Sequence, residues 1–523
     1  MAAVAAEIFL AVALGGLLVA AVRVLDALVL RPRRMRLYLQ RQGIGGPAPS
    51  FLLGNIPEMK RIGLSKPAAG VAMSTDTRFS HSWPYLLFPH LEQWRNEYGS
   101  IFMYSMGNVH LLSIIDADMV KELSLCTSLI LGKPSYLTKD LAPLLGEGII
   151  TSSGTFWAHQ REIIAPELYL DKVKGMVNLM VDSTSLMLSS WESKINEAEG
   201  GSVEIDVDGD VRNLSADIIS RACFRSSYSQ GKEIFLNLRQ LQKVMSKRSI
   251  GIPGLRYLPT KENREMQKLE KDIQSKILEV VRLRKEAKEE RAGDLLQMIL
   301  EGAEGFGENE GLPSHFSLDR FIVDNCKNLY FAGHETTAVT ALWSLVLLAE
   351  YPEWQDRARD EVLAVLGNGG IIDSDKLRSL KILTMIIQET LRLYPPATFL
   401  VRETQDIFEF KKIFIPKGLV IQVAVPILHQ DPNIWGPDAL EFNPERFSNG
   451  ISNACGAAQA YIPFGLGPRT CLGQHFAMME LKVILSLILS RFQFALSRSY
   501  RHSPAFILVI EPGNGVPLCM SKL

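Results

Sequence analysis

The chain has 523 residues, of which 47% are apolar and 22% are charged, and its formal net charge is −1 at pH 7. This composition is ordinary for a globular protein with a large core. Because the charge is near zero and the chain has no overall or block-like basic excess, the sequence argues against nucleic acid as a partner.

The first 30 residues depart most strongly from this average. Residues 8–22 form an uninterrupted run of apolar residues and glycine, and residues 27–30 resume it after Arg23 and Asp26. A helix over residues 8–30 would be about 34 Å long, enough to cross the core of a bilayer. Arg23 and Asp26 lie three residues apart, so they can face each other near one membrane interface.

A cleaved signal peptide and an uncleaved signal anchor both contain such a run. A signal peptide begins with basic residues, whereas residues 1–7 carry only the acid Glu7. The arginines follow the run instead, and the positive-inside rule keeps that side cytoplasmic. The sequence therefore favours a membrane anchor in residues 1–30, a basic and Pro/Gly-rich linker in residues 31–50 and a folded domain in residues 51–523.

The folded part is predicted to be mainly α with small β-sheets, an α+β fold. Residues 101–115 are rich in Ile, Val and Met and predict strands, and the pattern from residue 116 to about residue 400 is mostly helical. Residues 302–313 are interpreted as an exposed, acidic, glycine-rich connector and residues 437–460 as a loop. Residues 506–518 predict strands on either side of a turn at residues 512–515.

The longest predicted helix contains the first functional signal. Ser317 is its predicted N-cap, and Pro352 prevents continuation beyond Tyr351, so the helix is about 50 Å long. Its middle is apolar nearly all round, yet residues 332–337 read AGHETT. Two interpretations stay open. Gly333 serves helix packing while the threonines bond to the carbonyl four residues earlier, or the segment is a groove that admits a ligand.

The second signal is a cysteine loop. None of the six cysteines lies in a CxxC or a Cys/His zinc spacing, which argues against structural zinc. Cys471 lies in FGLGPRTCLG, residues 464–473, before a helix predicted over residues 474–494. Free backbone N–H groups and the helix dipole there favour the thiolate. The flanking glycines let a flat cofactor approach the backbone closely.

Two further motifs are weak alone: ETLR at residues 389–392 and PERF at residues 444–447. Taken together, FxxGxRxCxG, ExxR, PERF, AGxET and W-x-x-x-R (Trp157 and Arg161) resemble the signature set of the cytochrome P-450 superfamily. The resemblance covers roughly residue 51 to the C-terminus. It implies the cytochrome P-450 fold, haem b (iron protoporphyrin IX) as cofactor and a haem-thiolate monooxygenase activity.

The same resemblance assigns roles to individual residues. It implies that Cys471 is the thiolate ligand of the iron, that Phe464 shields the sulfur, and that Thr336 and Glu335 are the catalytic alcohol–acid pair beside the oxygen site. The resemblance also implies that the partners of the haem propionates are Trp157, Arg161, Arg402 and Arg469. Arginine suits this role because its planar guanidinium can donate two hydrogen bonds to one carboxylate. The implied buried charge triad is Glu389, Arg392 and Arg446.

The expected partners follow from what the sequence lacks. It contains no nucleotide- or flavin-binding motif, so electrons are expected from an NADPH-cytochrome P-450 reductase at the endoplasmic reticulum membrane, with a single-pass anchor and a cytosolic catalytic domain. Lys327 is either a paired lysine or a contact for an acidic substrate. Residues 247–257 either touch the membrane or form an ordinary exposed loop.

The small apolar substrate is predicted only by finer resemblance. Residues 80–99 and 144–174 resemble the gibberellin-oxidising subgroup of plant microsomal enzymes, although Pro166-Glu167-Leu168 replaces the wider family's usual Pro-Ala-Phe. The implied reaction is hydroxylation of a gibberellin, a diterpenoid acid, at C13. The alternatives are gibberellin epoxidation, hydroxylation of a cytokinin or steroid hormone, a haem isomerase that does not use O₂, and a haem sensor.

Overall fold

The computed structural model describes residues 2–65, 79–225, 228–248, 251–286, 293–306, 317–367 and 372–523. Residues 307–313 of the predicted acidic connector and residues 249–250 of the predicted membrane-contacting loop lie outside the described residues.

The N-terminal region is one continuous helical segment made of α1 (Ala2–Leu25), a π-helical turn (Asp26–Leu30) and α2 (Arg31–Gln40). Within the described residues, the stretch Glu7–Gln40 is long and apolar enough to cross a membrane. Asp26 forms its ion pair with Arg34 and not with the predicted Arg23. The segment predicted as a linker is helical to Gln40, and Met35 and Leu39 are buried in the core cluster of the main sheet.

The remaining helices and strands follow in chain order. The helices are α3 (Ile56–Ser65), α4 (Trp83–Leu87), α5 (Pro89–Tyr98), α6 (Ala117–Leu125), α7 (Ser135–Lys139), α8 (Ala142–Leu145), α9 (Gly154–Ile164), α10 (Leu170–Lys174), α11 (Val177–Glu197), α12 (Asp208–Phe224), α13 (Tyr228–Ser246), α14 (Lys261–Glu286), α15 (Leu295–Phe306), α16 (Leu318–Glu350), α17 (Pro352–Leu366), α18 (Ser374–Ser379), α19 (Lys381–Leu393), α20 (Val425–His429), α21 (Pro432–Trp435) and α22 (Gln474–Leu489). The strands are β1 (Ile101–Met106), β2 (Val109–Ile114), β3 (Leu131–Gly132), β4 (Ser202–Asp206), β5 (Phe399–Thr404), β6 (Phe408–Phe410), β7 (Ile413–Ile415), β8 (Val420–Ala424), β9 (Phe492–Leu496), β10 (Pro504–Ile507), β11 (Val509–Pro512) and β12 (Pro517–Lys522).

The strands form small sheets around a helical body, as the sequence predicts. The largest sheet has the order β1-β2-β8-β5-β3, in which β2 and β8 are parallel and the other neighbours are antiparallel. A three-stranded sheet has the order β4-β12-β9, and β10–β11 and β6–β7 are hairpins. The strand predictions for residues 101–115 and for the C-terminal tail are confirmed.

The central helix α16 has the predicted ends. The Ser317 hydroxyl accepts a hydrogen bond from the Arg320 N–H at 3.2 Å, and Pro352 opens the next helix. Trp343 and its apolar neighbours from residue 338 to residue 348 are fully buried, so α16 passes through the core.

The helix after the cysteine loop is shorter than predicted. It ends at Leu489, and the segment predicted as its last turn is strand β9 instead. Phe492 and Phe494 are buried while Gln493 and Ala495 are exposed, which is the alternation of a strand and not the spacing of a helix. Pairing with β12 stabilises this extended backbone.

Candidate active site

A cavity of about 330 Å³ lies between α16, α9, β5 and the loop before α22. This volume lies within the range of small-molecule sites in proteins. The lining includes Ala332, Gly333 and Thr336 of α16 together with Phe464 and Cys471 of the cysteine loop. Two segments that are far apart in the sequence thus face one space, and the remaining lining is mostly apolar.

Backbone bonding and glycine shape the cysteine loop. The Cys471 N–H donates to the Phe464 carbonyl at 2.8 Å, which folds the loop back on itself. Gly467 has φ +63°, and a Cβ added to it would lie 2.9 Å from the Ser124 carbonyl oxygen. Because an L side chain would be strained and crowded there, the position requires glycine.

The Cys471 thiol lines the cavity and is exposed to it. Burial raises its pKa, while the Gly473 N–H and the charge of Arg161 act in the opposite direction without compensating fully. A coordinated metal ion deprotonates a cysteine directly, so the group fits a metal-binding role.

The rim of the cavity carries an excess of positive charge. Within the described residues, no carboxylate lies within 4 Å of the side-chain nitrogens of Lys133, Arg161, Arg402 or Arg469, which all line the cavity. Burial lowers the pKa of Arg402 to about 10. Burial, together with repulsion from Arg402 and Arg161, lowers the pKa of Arg469 to about 9. The Arg469 guanidinium is held 4.1 Å from the centre of the Trp157 ring.

This arrangement fits the haem that the sequence implies. Buried cations without acidic partners are unfavourable, and a ligand with two carboxylates would relieve them. A thiol in a glycine-containing loop faces the same cavity, at a place where a flat metal-bearing group has room. The donor set therefore matches iron protoporphyrin IX, with a sulfur for the metal and guanidinium groups for the propionates.

The polar segment of α16 combines both interpretations left open by the sequence. The Thr336 hydroxyl donates to the Ala332 carbonyl at 2.7 Å, as expected for a threonine bonded within its own helix. A Cβ added to Gly333 would lie 2.5 Å from the Ile219 side chain, so glycine allows α12 to pack closely. Thr336 and Gly333 nevertheless both line the cavity, so the same segment packs a helix and faces a ligand space.

Glu335 lies outside the cavity lining, in a buried cluster of charges. The Arg212 and Arg239 guanidinium groups both donate to its Oε1, at 2.5 and 2.8 Å. The same two arginines pair with Glu511 of β11. Burial opposes ionisation of Glu335, but the charges of the arginines outweigh it and its pKa is lowered. The carboxylate is therefore ionised, and its 1% exposed side chain has no direct contact with solvent.

The ExxR pair is not the solvated surface pair that such spacing usually indicates. Glu389 and Arg392 are fully buried and joined by two hydrogen bonds of 2.6 and 2.7 Å. Arg392 also donates to the carbonyls of His429, Ala439 and Glu441. Arg446 lies 3.6 Å from Glu389, so the pair ties α19 to the loop that precedes the cysteine loop.

Sequence reasoning missed several residues that the fold places around the site. For Lys133 the sequence offered only a weak indication of a functional role, namely a single basic residue before Pro134. Arg212, Arg239 and Glu511 had none, because they lie 96 to 176 positions from Glu335. Lys327 had been left open, and its pairing with Asp324 at 2.9 Å confirms the paired-lysine interpretation.

Comparison with known proteins agrees with this geometry. The family profile described as Cytochrome P450 matches residues 86–515. Cytochrome P450 714C2 of Oryza sativa subsp. japonica is 51% identical over 498 residues, which are 94% of each chain. Cytochrome P450 714A2 of Arabidopsis thaliana is 47% identical over 92% of each chain, and Cytochrome P450 714B3 of Zea mays is 45% identical over 100% of this chain and 97% of its own. The chain belongs to the cytochrome P450 family of haem-binding monooxygenases, in its 714 group.

Proposed function

We propose that this monooxygenase hydroxylates a gibberellin, a diterpenoid carboxylic acid, with C13 as the position oxidised. The observation that carries the reaction class is the cavity that unites Cys471, the cationic rim and Thr336. The gibberellin assignment is supported by the resemblance of residues 80–99 and 144–174 to the gibberellin-oxidising subgroup. The mostly apolar lining suits a fused hydrocarbon skeleton.

The cofactor roles belong to the same proposal. Haem, when bound, supplies the reductive activation of O₂ that allows one oxygen atom to enter a C–H bond. Cys471 binds the iron as thiolate, and Phe464 covers the sulfur. The residues that hold the two propionates are Trp157, Arg161, Arg402 and Arg469, to which the geometry adds Lys133. Trp157 contributes by fixing the plane of the Arg469 guanidinium.

Proton delivery is assigned to Thr336 and Glu335 acting in sequence. The Thr336 hydroxyl donates to a carbonyl of its own helix, which leaves its oxygen lone pairs directed at the cavity to hold a water molecule. Glu335 exchanges protons with solvent only after one of its arginines moves away, because its side chain is buried beneath them. Arg239 is the one that moves, since its side chain is 18% exposed and that of Arg212 is 10% exposed.

The membrane and redox partners complete the proposal. The apolar helix Glu7–Gln40 anchors the chain in the endoplasmic reticulum membrane, and the catalytic domain receives electrons from NADPH-cytochrome P-450 reductase in the cytosol. A second contact is an apolar surface formed by the exposed side chains of Phe51, Leu52, Tyr257 and Leu258. Its two halves are joined through Gly107 and Asn108, whose N–H groups donate to the carbonyls of Leu53 and Gly251.

The test is product analysis after co-expression with a plant reductase. Gibberellin precursors, a cytokinin and a steroid hormone are supplied, and products are identified by mass spectrometry with fragmentation. We expect an NADPH-dependent product one oxygen atom heavier, with a hydroxyl at C13 of the gibberellin skeleton.

Oxidation of only the cytokinin or the steroid would overturn the gibberellin assignment and keep the monooxygenase class. Oxygen placed across a gibberellin double bond would favour the epoxidase. Conversion of a substrate without NADPH consumption would favour an isomerase, and absence of any turnover would favour a haem sensor.

A further inference from the structure

Residues 146–153 form part of the cavity wall but belong to no helix or strand in the described structure. They connect α8 to α9, and Ile149 and Ile150 line the same cavity as the cysteine loop. A segment without regular backbone bonding must satisfy its buried N–H and C=O groups elsewhere. The groups that satisfy them determine where the two isoleucines lie.

The partners come from one face of α16, two to three turns before Thr336. Asp324 Oδ2 accepts from the Glu147 N–H at 2.8 Å, and Asn325 Oδ1 accepts from the Ile149 N–H at 3.1 Å. Asn328 makes two bonds, because its Oδ1 accepts from the Ile150 N–H at 2.8 Å and its Nδ2 donates to the Leu145 carbonyl at 2.6 Å. Asp324, Asn325 and Asn328 of α16 thus hold residues 147–150 of the cavity wall in place.

Packing confirms that the segment is seated directly on the helix. Gly146 has φ +56°, and a Cβ added to it would lie 2.1 Å from the Asp324 carboxyl carbon. A Cβ added to Gly148 would lie 2.6 Å from the Asp324 carbonyl oxygen and 2.7 Å from Asn328 Oδ1. Asn325 and Asn328 are fully buried and Asp324 is 5% exposed, so water does not compete for these bonds.

We propose that Asp324, Asn325 and Asn328 are positioning residues that determine which bulky ligands the cavity accepts, by holding Ile149 and Ile150 in the wall beside the haem site. Asn328 itself lines the cavity, but both ends of its amide are engaged by backbone, so it acts on a ligand through the wall. Rigid walls bind a shape-matched ligand more tightly because less ordering is required on binding. The proposal rests on the haem of the family and is independent of the gibberellin assignment.

The test uses two azoles whose nitrogen coordinates the haem iron and shifts the Soret band, so that affinity is read without turnover. Imidazole is small enough to avoid the wall, and clotrimazole carries three aromatic rings that must contact it. In the full-length Asn328→Ala protein, loss of the two bonds should weaken clotrimazole binding by about five- to tenfold, as expected for a hydrogen bond lost from a buried site. Imidazole affinity should stay within about twofold of wild type.

The matched control is Ser344→Ala, which likewise removes buried side-chain hydrogen bonds from α16, here those of a hydroxyl, but lies away from the cavity lining. Its ratio of clotrimazole to imidazole affinity should equal that of wild type. If Asn328→Ala leaves the ratio of clotrimazole to imidazole affinity unchanged, whether or not both affinities fall, the proposal is overturned. If Asn328→Ala fails to bind haem, Asn328→Asp takes its place. It keeps the acceptor for Ile150 and loses the donor to Leu145, so a partial shift supports the proposal and a wild-type ratio refutes it.

Discussion

The buried charge cluster around Glu335 can be tested with two variants that should shift the pKa of Glu335 in opposite directions. Replacing Arg239 by Met removes one of the two guanidinium groups that neutralise Glu335 and Glu511. Replacing Glu511 by Gln removes one competing carboxylate, so Arg239 is left to Glu335 and Arg212 to Glu335 and Asp208. Since an opposite charge favours ionisation, Arg239→Met should raise the pKa of Glu335, and Glu511→Gln should lower it further.

The stability cost can be worked from the contacts. Breaking a buried ion pair by removing one partner typically costs 3–5 kcal/mol. Arg239 is 18% exposed, and Arg212 stays 2.5 Å from Glu335 and 3.1 Å from Glu511, so neither carboxylate is left without a cation. We therefore expect Arg239→Met to lower the free energy of unfolding by about 2 kcal/mol, below that range.

The pH dependence follows from the direction of the shift. The pKa of Glu335 in the folded protein is lowered, so its ion pairs stabilise fully above its ordinary pKa, and this contribution is lost as the pH falls from that value through the lowered pKa. In Arg239→Met the loss should end at a higher pH and be smaller, and in Glu511→Gln it should end at a lower pH and be larger.

The assay is urea unfolding of each full-length variant in detergent, followed by the Soret band across a pH series. The ratio of product to NADPH consumed, measured over the same pH series, reports the catalytic consequence. If both variants shift the pH dependence in the same direction, or neither shifts it, the cluster does not control Glu335 and the reasoning fails.

Four further outcomes are expected. Cys471→Ala should abolish the red-shifted Soret band of the ferrous–CO complex and all turnover, while single replacement of each other cysteine keeps the band; survival of the band in the Cys471 variant would move the ligand role elsewhere. Thr336→Ala should keep that band and reduce product formation more than NADPH consumption, with hydrogen peroxide rising and the loss staying below about 10²-fold because water partly replaces the hydroxyl; an unchanged ratio would leave Thr336 as a packing residue. Glu389→Gln should destabilise the domain by about 3 kcal/mol, since Arg392 loses the buried anion with which it is paired but keeps three carbonyl acceptors. Haem content and unfolding measure this, and a change below about 1 kcal/mol contradicts it. Deletion of residues 1–30, which keeps the buried Met35 and Leu39, should release much of the protein from membranes with haem still bound, some binding remaining through the apolar surface of Phe51, Leu52, Tyr257 and Leu258. Full-length protein found in the soluble fraction would refute the anchor.

Local features of this chain could be predicted because the information for them is local. The cap at Ser317, the stop at Pro352 and the alternating strands near residue 101 depend on residues a few positions apart. The cysteine loop is similar, because its glycines, its cysteine and the following helix are consecutive. Even here one local prediction was wrong, since strand β9 depends on pairing with β12, which the sequence near residue 490 does not contain.

The charges around the site were decided by tertiary packing. Glu335 and Thr336 are neighbours in the sequence, yet one lies in a cluster with Arg212 and Arg239 and the other lines the cavity, because successive residues of a helix point in different directions. The partners of Glu335 come from α12, α13 and β11, so no spacing in the sequence reveals them. The hydrogen bonds from Asn325 and Asn328 to the cavity wall also join residues far apart in the sequence, so no sequence spacing reveals them either. The sequence by itself determined the family, the cofactor and the ligand loop. Only the packing of distant helices determined which acid is ionised, which cations have no carboxylate partner among the described residues and what holds the wall of the cavity.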